Sequence, residues 1–251
     1  MSLSWLSSPA RIALLPGQAA MAASSARAPT ADWAGALQAL ESLLARGKVS
    51  GRAHITLSHH FARLFLLPAP ATWLRSTEMS AWLAAQLDTP LGGAAGWRFA
   101  WRPTPPGRPI LVSAMQQASV AELEQLLGRH GLALGRLRPW LSDAWARRRR
   151  KLGGASGWYA LAEPGQLVLL HLAAGRIRAL RQRQAGGDAD ADAAAGLHAL
   201  LTREALLAGV EPGGRVWLEQ AGVDLDAAAL GGGYRVEALA GPRDAAGALL
   251  S

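Results

Sequence analysis

With 251 residues, half of them apolar, the chain can bury a sizeable core and is too hydrophobic to be disordered. A net charge of +8 permits anionic partners, nucleic acid or phospholipid headgroups, without choosing between them. The absence of cysteine excludes a disulfide framework, a thiolate metal site and a cysteine nucleophile, and no run of about 18 apolar residues marks a membrane span.

Near the start, Arg11 is followed only by Ile12, Ala13, Leu14 and Leu15 before Pro16 and Gly17, too short for a signal-peptide core; the expectation is a cytoplasmic protein. Residues 11–15 read as a short strand and 19–29 as an Ala/Ser-rich loop. Thr30 or Asp32 is placed to cap a helix running to Arg46, with Trp33, Leu37, Leu40 and Leu44 on one face. Residues 52–68 are the densest apolar stretch. Strands are expected at 53–58 and 61–67, meeting at His59 and His60, both central in one sheet because their apolar residues leave no wet face. Ser76 or Thr77 caps a second helix to about Leu87, with Met79, Trp82, Leu83 and Leu87 buried. Residues 97–102 alternate Trp97, Phe99 and Trp101 as a strand with one aromatic face, and 109–115 follow as a buried strand. Ser119, with Glu122 three residues on, predicts a capping box for a helix stopped by Gly131.

A strand at 132–138 leads to a helix opened by Pro139 and running into Arg147, Arg148, Arg149, Arg150 and Lys151. Gly153 and Gly154 mark the boundary between two expected domains, 1–152 and 153–251. The second holds antiparallel strands at 158–162, 166–172 and 176–181, joined by turns at Pro164-Gly165 and Ala174-Gly175. A helix at 193–208 and strands at 215–219 and 234–239 follow, and the tail from Ala240 is expected to fray. Each half therefore reads as an α/β layer of strands, a long helix and further strands, with no repeat at the level of residues.

Four segments carry a resemblance: His54-Ile55-Thr56-Leu57-Ser58; Arg63-Leu64-Phe65-Leu66-Leu67-Pro68; the glutamate-led Ser76-Thr77-Glu78-Met79; and Gly131-Leu132-Ala133-Leu134 running on to Pro139-Trp140. In these, and in the order of elements over roughly residues 30–185, the chain resembles the actin-like components of bacterial envelope machines, the PilM proteins of type IV pilus assembly and the GspL cytoplasmic domains of type II secretion. The resemblance implies an α/β fold of two actin-like (ribonuclease H-like) subdomains, mixed sheets flanked by helices, reduced in size. It implies a scaffold peripheral to the inner membrane on its cytoplasmic side, docking the cytoplasmic segment of a single-span membrane protein, with homo-oligomers compatible with that role.

Actin-like ATPases hold phosphates on two strand turns, where backbone N–H groups cradle the phosphates and aspartates hold magnesium through water. The corresponding turns here are Leu15-Pro16-Gly17-Gln18, which lacks a carboxylate, and Glu163-Pro164-Gly165, where proline removes a donor. Gly231, Gly232 and Gly233 offer a glycine loop on the adenine side. The expectation is a catalytically silent relative without a cofactor; if ATP and magnesium bind, Glu163 and Gly165 are the residues to hold them. An active actin-like ATPase using that turn and a basic nucleic-acid-binding protein stand as alternatives.

His59 and His60 are neighbours on opposite faces, and no His-x-x-x-His pairing or Gly-x-Ser-x-Gly elbow is present, so metal and triad chemistry lack a motif. Asp188, Asp190 and Asp192 alternate as in calcium loops but lack the turn glycine and closing glutamate. The basic run Arg147, Arg148, Arg149, Arg150 and Lys151, with Trp140 and Trp145 beside it, is the expected contact with a partner or with anionic lipid. Residues 176–183 alternate arginines without the aromatic interleaving of a base-stacking surface, which disfavours nucleic acid.

Overall fold

The computed structural model describes residues 8–22, 24–47, 49–102, 104–105, 107–184, 191–225, 233–239 and 245–250. It begins with β1 (Ala10–Leu15), whose partner is unexpected. The Ala/Ser stretch read as a loop forms β2 (Gln18–Met21) and β3 (Ser24–Arg27), an antiparallel meander on β1. Small side chains are the reason: Ala19 and Ala26 are buried in one cluster with Leu40 and Leu43 of α1 (Trp33–Leu44), so the helix lies close on the strands. Asp32 caps that helix by accepting from the Gly35 N–H at 2.7 Å. That bond, then one from the Thr30 hydroxyl, holds the Asp32 carboxyl below its ordinary range. The buried face of α1 runs through Ala36, Ala39, Leu40, Leu43 and Leu44, rotated from the expected stripe because its smallest residues approach the sheet most closely.

The turn from β1 to β2 is tight. Gly17 has φ +64°, and a Cβ there would sit 2.3 Å from the Thr30 carbonyl oxygen. Gly131 has a similar φ, +72°, with nothing within 4 Å of an added Cβ. Gly131→Ala should therefore lose only the conformational term, about 1–2 kcal/mol. Gly17→Ala should lose clearly more, because backbone must also move. Urea midpoints of the two variants check the ordering.

Next, β4 (Gly51–Leu57) runs parallel between β1 and β8 (Leu132–Pro139), giving the order β3-β2-β1-β4-β8. The strand expected to share that sheet does not. After a turn closed by the Phe61 N–H on the Ser58 carbonyl, β5 (Arg63–Leu67) leaves to pair antiparallel with β7 (Ile110–Gln116), which also pairs with β6 (Trp97–Trp101). The apolar density of β5 is still explained by two buried faces: Phe65 and Leu67 meet α2 (Ser76–Leu91), while Leu64 and Leu66 meet the second half of the chain. In α2 the Glu78 carboxylate accepts from the Arg75 N–H at 2.7 Å, so Arg75 rather than Ser76 or Thr77 is the cap. Helix α3 (Gln117–Arg129) starts two residues before Ser119, and no Ser119 capping box forms; Glu122 instead accepts from Trp33 Nε1 at 2.8 Å.

The second half repeats the topology. β9 (Gly157–Glu163), β10 (Gln166–Ala173) and β11 (Arg176–Gln184) form an antiparallel meander, followed by α5 (Ala191–Leu207) and two strands parallel to β9, β12 (Gly214–Gln220) and β13 (Tyr234–Ala238). The order β11-β10-β9-β12-β13 is that of the first sheet, with β5 to α3 as an insertion between β4 and β8. The repeat is one of topology, invisible in the residues.

Two helices knit the halves together. α4 (Trp140–Arg148) follows β8, yet its Trp140, Leu141 and Ala144 share a core with Tyr159, Leu161 and Val168 of the second sheet. α6 (Ala245–Leu250) follows β13, yet its Ala246, Ala248 and Leu249 share that core with Ala13 and Ala20 of the first. The tail expected to fray is thus, over 245–250, a buried helix. Its alanines let it seat between two sheets; residues 240–244 lie outside the described residues.

Candidate functional site

The two turns that would cradle phosphates both face other parts of the chain. At the first, Gly17 donates to the Asp32 carbonyl at 3.2 Å, Ala28 donates to the Gly17 carbonyl at 2.8 Å, and the Thr30–Ala31 backbone packs directly over the glycine. At the second, Glu163 is 3% exposed and points at the β4–β5 turn from the other half. Its Oε1 accepts from the His59 backbone N–H at 2.6 Å and lies 2.8 Å from His59 Nδ1. The Leu141 N–H donates to His59 Nε2 at 3.0 Å, so that nitrogen is unprotonated and Nδ1 carries the hydrogen, close to Glu163 but outside hydrogen-bond geometry. Burial would raise the Glu163 carboxyl, but the His59 ring, the Ser58 hydroxyl and the His59 N–H outweigh it and hold the group below its ordinary range.

His60 completes the closure. Its Nε2 donates to the Pro164 carbonyl at 2.7 Å, and a Cβ on Gly165 would sit 3.3 Å from His60 Cε1. Gln182 of β11 clamps the same turn by donating to the His59 and Ala62 carbonyls at 2.8 and 2.9 Å and accepting from the Leu64 N–H at 3.0 Å. Against the second turn the chain places two histidines and a glutamine. Of the third glycine loop, Gly231 and Gly232 lie outside the described residues, and the Gly233 carbonyl accepts from Gly214 at 3.1 Å.

The basic run is largely committed inside the molecule. Glu219, on β12 and 2% exposed, takes Arg147 Nη2 at 2.8 Å, Arg148 Nε at 3.0 Å and the Tyr159 hydroxyl at 2.8 Å. Burial, then the Glu219 charge, pushes the Tyr159 phenol well above its ordinary range. Lys151 Nζ reaches Glu237 Oε1 at 2.6 Å, which lowers the Glu237 carboxyl. Arg149 and Arg150 are exposed and form no ion pair among the described residues. Trp140, expected at a contact surface, is fully buried with its ring 5.5 Å from that of His59, because the apolar face of α4 is the face that closes the shared core. Trp145 is half-buried against Tyr159, ring centroids 6.0 Å apart.

Three residues escaped the sequence reading: His59 as a buried ring, Gln182 and Glu219. The available signal was a carboxylate inside an apolar strand, Glu163 after Trp158–Ala162 and Glu219 after Val216-Trp217-Leu218, since a buried carboxylate demands partners. Of the aspartates read against calcium loops, Asp188 and Asp190 lie outside the described residues, as does the side chain of Asp192. Among the described residues no three acidic or histidine side chains gather as a metal site.

A groove of about 270 Å³ opens between β8 and the β6–β7 strands, lined by Phe99, Ser113, Met115, Leu134 and Leu137 together with the charged Arg98, Glu124, Arg136 and Arg138. β8 and β6, which both contribute lining residues, are each the last strand of their sheet among the described residues and so keep one edge free of ladder pairing. Among the described residues no helix is long and apolar enough to cross a membrane.

No family model matches the chain, and no curated protein matches it either. Solved structures do. The PilM–PilN type IV pilus biogenesis complex aligns at TM-score 0.60 and 15% identity, over 84% of this chain and 80% of that one. A Bacteroides thetaiotaomicron protein with an actin-like ATPase fold and unknown function aligns at 0.58 and 8%, over 88% and 84%. The cytoplasmic domain of EpsL, an inner-membrane component of the type II secretion system of Vibrio cholerae, aligns at 0.55 and 13%, over 92% and 89%. The chain therefore has the actin-like fold of these pilus and secretion-system structures, as a divergent example of it.

Proposed function

We propose that the chain is a catalytically silent actin-like scaffold, with subdomains 1–152 and 153–251, that docks the cytoplasmic segment of a single-span inner-membrane protein in a type IV pilus or type II secretion assembly platform. The observation that carries this reading is the filling of both phosphate turns by the chain itself. Thr30 and Ala31 close one, and His59 and His60 close the other around Glu163. An ATPase would need the Glu163 carboxylate free for magnesium, and here it is buried against His59. A nucleic-acid protein would need its basic run, and here Arg147, Arg148 and Lys151 are spent on Glu219 and Glu237.

Two of the similar structures support the docking half of the reading: one is a PilM–PilN complex, the other an inner-membrane component of a secretion system. The groove between β8 and β6 suits an extended peptide, because a free strand edge offers ladder hydrogen bonds and a lining of both apolar and charged side chains offers side-chain pockets. Placing a photo-crosslinking residue at the exposed Ala100 and irradiating native membranes tests it. The expected product is a crosslink to the cytoplasmic segment of a single-span membrane protein, reduced at least tenfold when Ser113→Trp fills the groove. Crosslinks unchanged by Ser113→Trp would place the partner elsewhere.

A further inference from the structure

β8 carries a bulge. Ala53 pairs with Leu134 but His54 pairs with Arg136, leaving Gly135 without a partner. A Cβ on Gly135 would lie 3.1 Å from His54 Cδ2 and 3.3 Å from the Ala53 carbonyl oxygen, so a side chain there would press on the His54 ring and the β4 backbone. The extra residue shifts the phase of the pleat. Leu134 and Leu137 both pack on the core beneath α1 and α3, which turns Arg136 and Arg138 to the face that carries His54 and Thr56. On β1 the residue opposite His54 is Arg11. Arg11, His54 and Arg136 thus form a row across three adjacent strands, about 10 Å wide. Arg52, two residues before His54, stands on the same face.

Arg11, Arg52 and Arg136 are exposed and His54 is half-buried. None of the three arginines forms an ion pair with a described residue. The carboxylate at the end of the row, Asp143, lies 3.7 Å from Arg138 and takes the Thr56 hydroxyl at 2.9 Å. Like charges facing one another across strands oppose folding. His54 registers the field: burial first, then Arg136, Arg11, Arg138 and Arg52, press its proton affinity below the ordinary histidine range. Helix α6, which packs on β1 and β4, contributes no titratable side chain to this face.

We propose that the Arg11–His54–Arg136 row, with Arg52, is a docking surface for the phosphate headgroups of an anionic lipid bilayer. Arg11, Arg52 and Arg136 stand exposed on the sheet face that α6 partly covers, where a single phosphate ion would keep most of its water. A surface that presents many phosphates engages all the cations together, each strengthening binding roughly fivefold. Bases would need aromatic platforms, and the row contains none. Arg136 also borders the β6–β8 groove, but Arg11 and Arg52 do not line it, so substituting those two tests the lipid surface apart from peptide docking.

The test is co-sedimentation of the full chain with phosphatidylglycerol-containing vesicles, with phosphatidylcholine vesicles, and with a DNA duplex as competitor. The wild type is expected to bind the anionic vesicles alone and to release them as salt rises. Arg11→Gln/Arg52→Gln should bind roughly 20-fold more weakly while keeping or slightly raising its melting temperature. Arg149→Gln/Arg150→Gln, which removes two exposed cations outside the row, should lose less. Equal binding by wild type and Arg11→Gln/Arg52→Gln, no preference for anionic vesicles, or displacement by DNA at lower concentration than by vesicles would each overturn the proposal. Peptide crosslinking at Ala100 stays unchanged in Arg11→Gln/Arg52→Gln if both readings hold.

Discussion

Replacing Glu163 by alanine is expected to remove about 3–5 kcal/mol of folding stability, the usual consequence of leaving one member of a buried polar pair alone. The loss is large because Glu163 is the acceptor for the whole β4–β5 turn. Without it the His59 N–H and ring lose their carboxylate in a region almost closed to water. Glu163→Gln should lose less, since an amide oxygen still accepts from the His59 N–H. The pH dependence has a defined sign. The folded-state carboxyl titrates below its ordinary value near 4.5, so its contribution is present above that value and disappears as pH falls through the depressed one. Urea midpoints from pH 7 to pH 3 should converge between wild type and Glu163→Gln at the acid end. Curves that stay parallel throughout would show that Glu163 does not hold the two halves together as described.

Glu219→Ala should be the second large loss, about 2–4 kcal/mol, because one carboxylate serves Arg147, Arg148 and the buried Tyr159 hydroxyl. The arginines are about a quarter exposed and can turn to water, which keeps the loss below that of Glu163→Ala. Tyr159→Phe should lose about 1–2 kcal/mol from the same cluster. The phenol's folded-state pKa lies well above 10.0, so its contribution is complete below that value and fades as pH rises through the raised one. Alkaline titration of Tyr159→Phe should therefore lack a destabilising phase that the wild type shows above about pH 10. A Glu219→Ala variant as stable as wild type would mean the ion pairs merely decorate α4.

Strand and helix periodicity made most elements legible, and it failed where tertiary contacts overrode composition. Ala19, Ala20 and Ala26 look like loop filler, yet their smallness is what lets α1 and α6 approach the hairpin from either side. The apolar density of β5 signalled burial on two faces and carried no information about which sheet would take the strand. Ser119 and Glu122 matched a capping pattern, but Trp33, 89 residues away, recruits Glu122. The resemblance in residues 52–68 and 131–140 pointed to the actin-like fold, because those segments hold the parallel strands around which it is built.

The site was less legible. The residues of the two turns could be read directly: Pro164 in one, no carboxylate in the other. What fills them could not, because His59 and Glu163 are 104 residues apart and nothing in their neighbours encodes the pairing. The run from Arg147 to Lys151 looked like a surface patch because five consecutive cations hide their counter-charges, which stand on β12 and β13. Other cations without an ion pair among the described residues are scattered in sequence, and three of them, Arg11, Arg52 and Arg136, are gathered by register.

Titration of magnesium-ATP into the full chain, followed by calorimetry and by melting temperature, tests the central claim most directly. A cleft closed by Thr30, His59 and His60 predicts no saturable heat and no rise in melting temperature at millimolar nucleotide. Saturable binding with a melting temperature that climbs with nucleotide, and that is lost in Glu163→Gln, would show that the turns still hold phosphates and that the chain is not silent.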